Sequence, residues 1–320
     1  MLFGSSCVGI DLRMDTIKAA YLIRRGNRIR IKDLYQMENP LGKTVINGSK
    51  EQSIIKECFK KISERFPSKN VVIGVSSNNI ILRHVQLPIL SKKELKEAIF
   101  WETQEFSSVF NNNFVSDYEI LERQKENFRI LLVGASNQLI QDYIKIAYES
   151  GISLSALDIY PLAHARVLKL QKISNVIAIL DLEPCHSEIT LVDNGNIIFI
   201  RSLDFCYTKT IQNKIESFKY DPKVIPPEFQ NLLIELSRCI KFYSLHSNGS
   251  GIDEIIITGE GRKLQFLKAI LSKFLDVGVH IESKLKHDLS NNSINVNHNP
   301  MEFFSAIGFA LRGGGVICIS

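Results

Sequence analysis

The chain has 320 residues, of which 45% are hydrophobic, 9% aromatic and 23% charged. This composition excludes a disordered, collagen-like or coiled-coil protein, and the length predicts about two domains. The chain has 39 Lys and Arg residues and 34 Asp and Glu residues, which gives a net charge of +5. The charged residues are scattered along the sequence. Such a mild basic excess favours an acidic ligand or a membrane-proximal partner, and no nucleic-acid partner is expected.

The six cysteines lie far apart without a C-x-x-C pair, and the seven histidines show no metal-ligand spacing. We therefore expect buried free thiols. Together with the lack of a signal peptide, these predict a reducing cytoplasm. No uncharged apolar run reaches the roughly 18 residues of a membrane span, so any membrane role is expected to come through a partner.

The first half of the chain opens with three predicted strands, at residues 8–12, 17–23 and 28–31. A helix at 53–66 and strands at 71–75 and 80–87 follow. Ser91 and Glu94 form a capping-box pattern, which predicts a helix whose apolar face carries Leu95, Ile99 and Phe106. Strands at 115–121 and 128–133, a helix from Asn137, a strand at 154–159 and a helix to 170 complete this half.

The second half begins with the same pattern of three strands, at residues 177–182, 188–192 and 197–200. Asp11 and Asp181 end the first strand of each set, which indicates a duplicated domain. Helices are predicted at 208–218, 228–247, 263–275 and 303–311. The strand at 255–259 runs into the turn Gly259-x-Gly261.

This order is the plan of the actin/Hsp70/sugar-kinase-like (ribonuclease H-like) α/β fold. In that fold the two turns hold phosphates, the aspartates position Mg²⁺, and the Gly-x-Gly backbone approaches the adenosine.

Several segments, in order along nearly the whole chain, carry a resemblance to one family on this fold. They are Val8 to Asp11 with Lys18, Leu87-Pro88 before the capping box, Asp117-Tyr118, Leu131 to Ala135, Glu235 to Arg238 and Ala306 to Arg312. Together they resemble the PilM family, the cytoplasmic actin-like proteins of type IV pilus assembly. The resemblance implies a first actin-like subdomain (1A) at 1–87, closed by helix 303–312. It also implies an inserted FtsA-type 1C subdomain at 88–160 and a second actin-like half (2A/2B) at 161–302.

The resemblance also implies an ATP and Mg²⁺ site, with Asp11 and Asp181 toward the metal. The candidate cofactor-binding residues are Asp11, Arg13, Thr16, Lys18, Asp181, Glu235, Arg238, Gly259 and Gly261.

The two phosphate turns depart from the family pattern. Arg13 and Glu183 stand where glycines would let backbone amides close on phosphate oxygens. Asp15 and Glu183 add negative charge, and Pro184 lacks an amide donor. The Arg13 side chain is an alternative ligand for a phosphate. These changes predict a degenerate nucleotide cleft with weak or absent ATPase activity.

The resemblance therefore predicts a non-enzymatic adaptor, peripheral to the cytoplasmic face of the inner membrane in a type IV pilus or related secretion or competence machine. Its partners would be the N-terminal tail of a PilN-like membrane protein and other platform proteins. The tail is expected in a groove between the first domain and the inserted subdomain. The candidate contacts are Ile81, Arg83, Val85, Leu87 and the partner-facing Trp101. The alternatives are an ATPase or kinase of this fold, or an FtsA-like filament protein.

Overall fold

A computed structural model of the chain describes residues 5–26, 28–44, 46, 48–66, 70–76, 80–172, 175–183, 186–205, 227–246, 251–259, 265–281 and 299–313. The chain divides into two units, Met1–Val167 with Lys286–Ser320, and Leu168–Leu285. None of the helices in the described part is long and apolar enough to cross a membrane.

The first unit contains two sheets and the helices that pack on them. Its described elements, in chain order, are β1 Ser5–Leu12, β2 Thr16–Arg25, β3 Arg28–Glu38, α1 Ser49–Arg65, β4 Val71–Val75, β5 Ile80–Pro88, α2 Lys92–Thr103, α3 Ser107–Phe110, β6 Phe114–Arg123, β7 Asn127–Ser136, α4 Asn137–Glu149, β8 Leu154–Ile159 and α5 Tyr160–Leu170. The last three residues of α5 belong to the second unit. The described elements of the second unit are β9 Val176–Glu183, β10 His186–Asp193, β11 Asn196–Leu203, α6 Pro227–His246, β12 Glu254–Gly259, α7 Gln265–Leu275 and β13 Gly278–Ile281. The final helix, α8 Phe304–Arg312, lies in the first unit.

The main sheet of the first unit has the strand order β3-β2-β1-β4-β8. β1, β2 and β3 are antiparallel, whereas β1, β4 and β8 are parallel. Side chains of α1 and α4, including Phe59 and Tyr143, pack with Ile10 and Ile73 in one buried cluster. Helix α8 packs against β1, where a Cβ on Gly9 would come within 2.0 Å of the Ala306 carbonyl oxygen. The absence of a side chain at Gly9 therefore allows the helix to approach the sheet closely.

A second sheet in the first unit contains three strands in the order β5-β7-β6. Its core joins Val85, Ile130 and Leu132 to Leu95 and Phe106. The Ser91–Glu94 capping box at the start of α2 is present, which confirms that prediction. The chain leaves the main sheet after β4 and returns to it at β8, which pairs with β4.

The five-stranded sheet of the second unit repeats the first, with the order β11-β10-β9-β12-β13. β9 and β10 are antiparallel, β9 and β12 are parallel, and α6 and α7 contribute to the core of this unit. The turn between β10 and β11 has Asn194 and Gly195 at positive φ, as a two-residue hairpin turn requires. The same strand order and directions in both units support the duplication read from the sequence.

Local details differ from the sequence-based expectations. β3 continues to Glu38 rather than ending at 31, and the side chain that caps α4 is Ser136 rather than Asn137. Cys7, Cys58 and Cys239 are buried free thiols, as predicted. The predicted helix at 208–218, together with Pro184, Gly261, Cys185, Cys206 and Cys318, lies outside the described residues. The domain boundaries proposed from the sequence stay predictions.

Candidate functional site

The turn after β1 carries a buried ion pair between Asp11 and Arg13. Arg13 Nε donates to Asp11 Oδ1 at 2.9 Å, and the Tyr160 hydroxyl donates to the same oxygen at 2.9 Å. The Arg13 guanidinium also lies over the Tyr160 ring, 3.8 Å from its centroid. The exposed fraction of Arg13 is 5% and that of Asp11 is 4%. Because both groups are so well shielded from water, removal of either one would leave the other charge buried without compensation.

The Arg13 side chain is held from two further directions. Its Nη2 donates to Ser305 Oγ at 3.1 Å, and Ser305 Oγ lies 3.0 Å from His164 Nε2. The backbone of Arg13 is fixed as well, because Asn39 Nδ2 donates to its carbonyl oxygen at 2.7 Å. This network, which we call the Arg13 network, joins the first turn to α5 and α8.

Two other predicted residues of the first turn lie next to the Arg13 network. The Thr16 carbonyl oxygen accepts a hydrogen bond from the Arg13 amide at 2.9 Å, which closes the turn. Lys18 is buried and pairs across the ladder with Asp11, and its Nζ donates to the Glu302 carbonyl oxygen at 3.0 Å. The structure therefore brings Asp11, Arg13, Thr16 and Lys18 together, and their role in cofactor binding stays a prediction.

In the second unit, Asp181 and Gly259 lie side by side on neighbouring strands. Thr258 Oγ1 donates to Asp181 Oδ1 at 3.1 Å. Gly259 has a φ of +70°, and a Cβ there would lie 2.5 Å from Asp181 Oδ1 and 2.6 Å from Glu183 Oε1. The space left by the missing side chain of Gly259 is thus occupied by two carboxylates.

Glu235 and Arg238 occupy the same part of α6 and contact each other. Glu235 accepts hydrogen bonds from Arg238 Nη1 at 2.6 Å and from Arg201 Nη2 at 2.8 Å. Within the described residues, no group of three or more His, Cys, Asp and Glu side chains is arranged to hold a metal ion.

The predicted partner residues on β5 face the core of the three-stranded sheet. Val85 is buried there, and Ile81 and Leu87 pack against the same cluster. Arg83 forms ion pairs with Glu102 at 3.2 Å and Glu105 at 2.7 Å. Their contact with a partner stays a prediction, but these neighbours make them part of the internal packing.

Trp101 lies on α2 with 71% of its surface exposed, and its ring contacts only that of Phe100 among the aromatic pairs of the described residues. Its role as a partner-facing residue stays a prediction.

The first unit contains a groove whose lining residues were not predicted from the sequence. It lies between the main sheet and the three-stranded sheet, and we call it the β6–β8 groove. Its lining includes Val75, Ile80, Val115, Ser116, Asp117, Tyr118, Glu119, Val133, Ala135, Ile140, Leu157, Asp158, Ile159, Leu162 and Arg312. No local pattern in the sequence marks these residues, because many separate elements contribute them. The one relevant signal in the sequence is the alternation of polar and apolar residues within β6. Side chains on both faces of this strand remain half-exposed.

Two outer strands contribute to the lining of the β6–β8 groove. β6 is an outer strand of the three-stranded sheet, and β8 is an outer strand of the main sheet. Consecutive residues of each strand line the groove, 115–119 in β6 and 157–159 in β8. Consecutive lining residues indicate that backbone as well as side chains faces the groove, since alternate side chains point to opposite faces of a strand.

Two sheets of matching strand order, each with an aspartate near the end of its first strand, define a protein of the actin-like α/β fold. The chain matches the family described as type IV pilus assembly protein PilM over residues 9–222, and it belongs to that family.

Several solved structures are similar to the chain, and the first of those named below agrees with it on the fold. A structure described as the PilM-PilN type IV pilus biogenesis complex has a TM-score of 0.78 and 20% identity, with 97% of this chain and 99% of that chain covered. The cytoplasmic domain of EpsL, an inner-membrane component of the type II secretion system of Vibrio cholerae, gives a TM-score of 0.49, 8% identity and coverage of 98% of each chain. A protein of actin-like ATPase fold and unknown function from Bacteroides thetaiotaomicron gives 0.48, 14% identity and coverage of 86% and 90%.

Proposed function

We propose that this type IV pilus assembly protein is an adaptor on the cytoplasmic side of the inner membrane, where it binds the extended N-terminal tail of a PilN-like membrane protein. The observation that carries the proposal is the β6–β8 groove, which offers two strand edges between aliphatic side chains. An extended segment can pair with such an edge through its main chain and place alternate side chains in the pockets. The similarity to a structure described as a PilM-PilN complex supports this choice of partner.

The tail is expected to lie against Val115, Val133 and Ala135 on one side and Leu157 and Ile159 on the other. These side chains are apolar, so they favour a tail with aliphatic residues. The groove lies on one face of the three-stranded sheet, and the Val85 side chain lies in the buried core on the opposite face. Because that core forms without the tail, the sheet can be stable without it.

A matched pair of variants tests the groove in a titration with a fluorescent peptide that contains the first 15 or so residues of the PilN-type protein from the same organism. Val115→Lys places a charge in the apolar groove at a half-exposed position, and we expect at least tenfold weaker binding. Ile144→Lys on α4, at a site 45% exposed and outside the groove lining, is the control and should bind normally. Unchanged affinity of Val115→Lys in a folded protein would exclude this groove.

We further propose that the protein works without nucleotide turnover. The residues of the first turn do not fit a metal-bound phosphate, because the Arg13 guanidinium is paired with the Asp11 carboxylate and would repel a metal cation there. In the second unit the carboxylates of Asp181 and Glu183 lie against Gly259, and they would repel a phosphate. The Arg13 guanidinium is already paired with Asp11 inside the protein. The Arg13 network therefore favours an assembly role over that of an ATPase or kinase.

Calorimetric titration with ATP and Mg²⁺ tests this second part. We expect no binding at micromolar nucleotide and no hydrolysis above background. If the missing glycines are the reason, the double variant Arg13→Gly/Glu183→Gly, once shown by circular dichroism to be folded, should gain affinity. If the unaltered chain does bind nucleotide, a loss of affinity in the folded variant would show that Arg13 itself binds phosphate. Micromolar binding with measurable hydrolysis by the unaltered chain would contradict the proposal.

A further inference from the structure

The lining of the β6–β8 groove is mainly apolar but includes a group of charged residues. Asp117 and Glu119 on β6 belong to this group, as do Asp158 on β8 and Arg312 on α8. The balance of these charges determines which kind of side chain this part of the groove can accept.

Two arginines near this part of the groove are bound to one buried carboxylate. Arg166 Nη1 lies 2.5 Å from Asp158 Oδ2, and Arg312 Nη1 lies 3.0 Å from Asp158 Oδ1. Only 1% of the Asp158 side chain is exposed, and Arg312 also donates to the Leu157 carbonyl oxygen at 2.7 Å. These contacts hold both guanidinium groups on the β8 side of the groove.

The carboxylates on β6 differ from Asp158 in their surroundings. Among the described residues, no Lys, Arg or His nitrogen lies within 4.0 Å of the carboxylate of Asp117 or Glu119. The carboxylates of Asp117, Glu119 and Asp158 therefore lie near two guanidinium groups, of which that of Arg312 belongs to the groove lining and that of Arg166 does not. Asp117 and Glu119 belong to β6, an outer strand of its sheet. Burial raises the pKa of Glu119, with Asp158 and Asp117 acting in the same direction and Arg166 and Arg312 opposing it. A cation placed next to Glu119 would offset that cost of burial.

The register of β6 shows where such a cation would come from. Val115, Asp117 and Glu119 pair with Ala135, Val133 and Leu131, and side chains two residues apart share a face of the strand. A segment added at the free edge of β6 would place its own alternate side chains opposite these three. Opposite charges stabilise such cross-strand pairs, and apolar side chains pair well with apolar ones.

We propose that the tail bound in the β6–β8 groove carries a lysine or arginine that faces Asp117 and Glu119, with an aliphatic residue on the same face opposite Val115. This inference rests on the proposed function of the groove. According to this inference, the groove selects its tail by charge as well as by shape and hydrophobicity.

A double-mutant cycle with the tail peptide of the PilN-type protein tests the charge requirement. Each Lys or Arg of the peptide is replaced in turn by Gln, and each peptide is titrated into the unaltered full chain and into Asp117→Asn/Glu119→Gln. One basic residue should show a three- to tenfold loss with the unaltered chain, as expected for about 1 kcal/mol from a partly exposed ion pair. That loss should disappear with the double variant. Glu126→Gln is the control, because Glu126 is an exposed residue between β6 and β7 and lies outside the groove lining. With this variant the loss of affinity should persist.

The outcomes separate this inference from the function on which it rests. If every Gln peptide binds as tightly as the parent while Val115→Lys weakens them all, the groove is correct and the charge requirement is wrong. A parent tail without any Lys or Arg that still binds in the groove also overturns the inference. Failure of every peptide to bind the unaltered chain overturns both.

Discussion

The family resemblance predicts a glycine at position 13, whereas this chain has Arg13. Its side chain supplies a buried cation to Asp11. The Tyr160 ring and hydroxyl, together with Ser305, hold that cation in position. A charge buried to this extent is tolerated only when it is paired and hydrogen-bonded.

We predict that Arg13→Met destabilises the protein by about 3 kcal/mol, because it leaves the Asp11 carboxylate buried without its cation. Urea unfolding measures this, and the double variant Asp11→Asn/Arg13→Met should recover much of the loss. Arg30→Met, at an exposed position of β3, is the control, with an expected change within about 0.5 kcal/mol. Equal stability of Arg13→Met and Arg30→Met would show that the pair does not matter for folding.

Residue-level prediction from the sequence succeeded where the signal was local. The capping box at Ser91 and Glu94 depends on residues three apart, so its pattern predicted its geometry. The strand pattern likewise located the two aspartates near the ends of β1 and β9, whereas the role of these aspartates and of Lys18 in a cofactor site stays a prediction. The partners of Arg13 were not found, because Tyr160 and Ser305 lie far away along the chain.

At the scale of secondary structure, close packing of α8 on the main sheet organises the first unit. Every residue from Phe304 to Ala310 is buried, and the helix meets β1 at Gly9 and β4 at Gly74. Gly308 on the other side of the helix approaches the Ala163 carbonyl oxygen of α5, where a Cβ would lie at 2.3 Å. Glycine at these points sets the distance between α8 and its neighbours.

Gly9→Ala should therefore destabilise the protein by about 1–3 kcal/mol, since the added methyl group would overlap the backbone of α8. Thermal unfolding followed by circular dichroism measures the change. Gly251→Ala is the matched control, because nothing lies within 4 Å of the position of its added Cβ. A Gly9→Ala protein as stable as Gly251→Ala would show that α8 can move away from β1 at little cost.

Most helices and strands were predictable because their hydrophobic periods are clear. β3 was predicted too short, because Lys32 and Asp33 interrupt its apolar–polar alternation at the point where the register with β2 shifts. The predicted helix from Ser91 runs as α2 only to Thr103, and a 3-10 turn at Gln104–Phe106 then changes its direction. Phe106 still enters the core, as its apolar spacing indicated.

At the scale of the whole molecule, duplication explains the two sheets of identical strand order. A single inserted sheet, formed by β5, β6 and β7, distinguishes the first unit from the second among the described strands. The β6–β8 groove exists because of that insertion. Its position followed in outline from the family resemblance, but its lining residues did not, because they depend on how distant elements pack.

Hydrogen exchange of the full chain, with and without the tail peptide of the PilN-type protein, tests the central claim most directly. An extended tail paired with a strand edge should slow exchange at least tenfold in β6, Phe114–Arg123, or in β8, Leu154–Ile159, because edge amides would gain hydrogen bonds. Exchange in the edge strand β13 of the second unit should stay unchanged. Protection confined to the second unit, or unchanged exchange in both β6 and β8 at saturating peptide, would contradict the account.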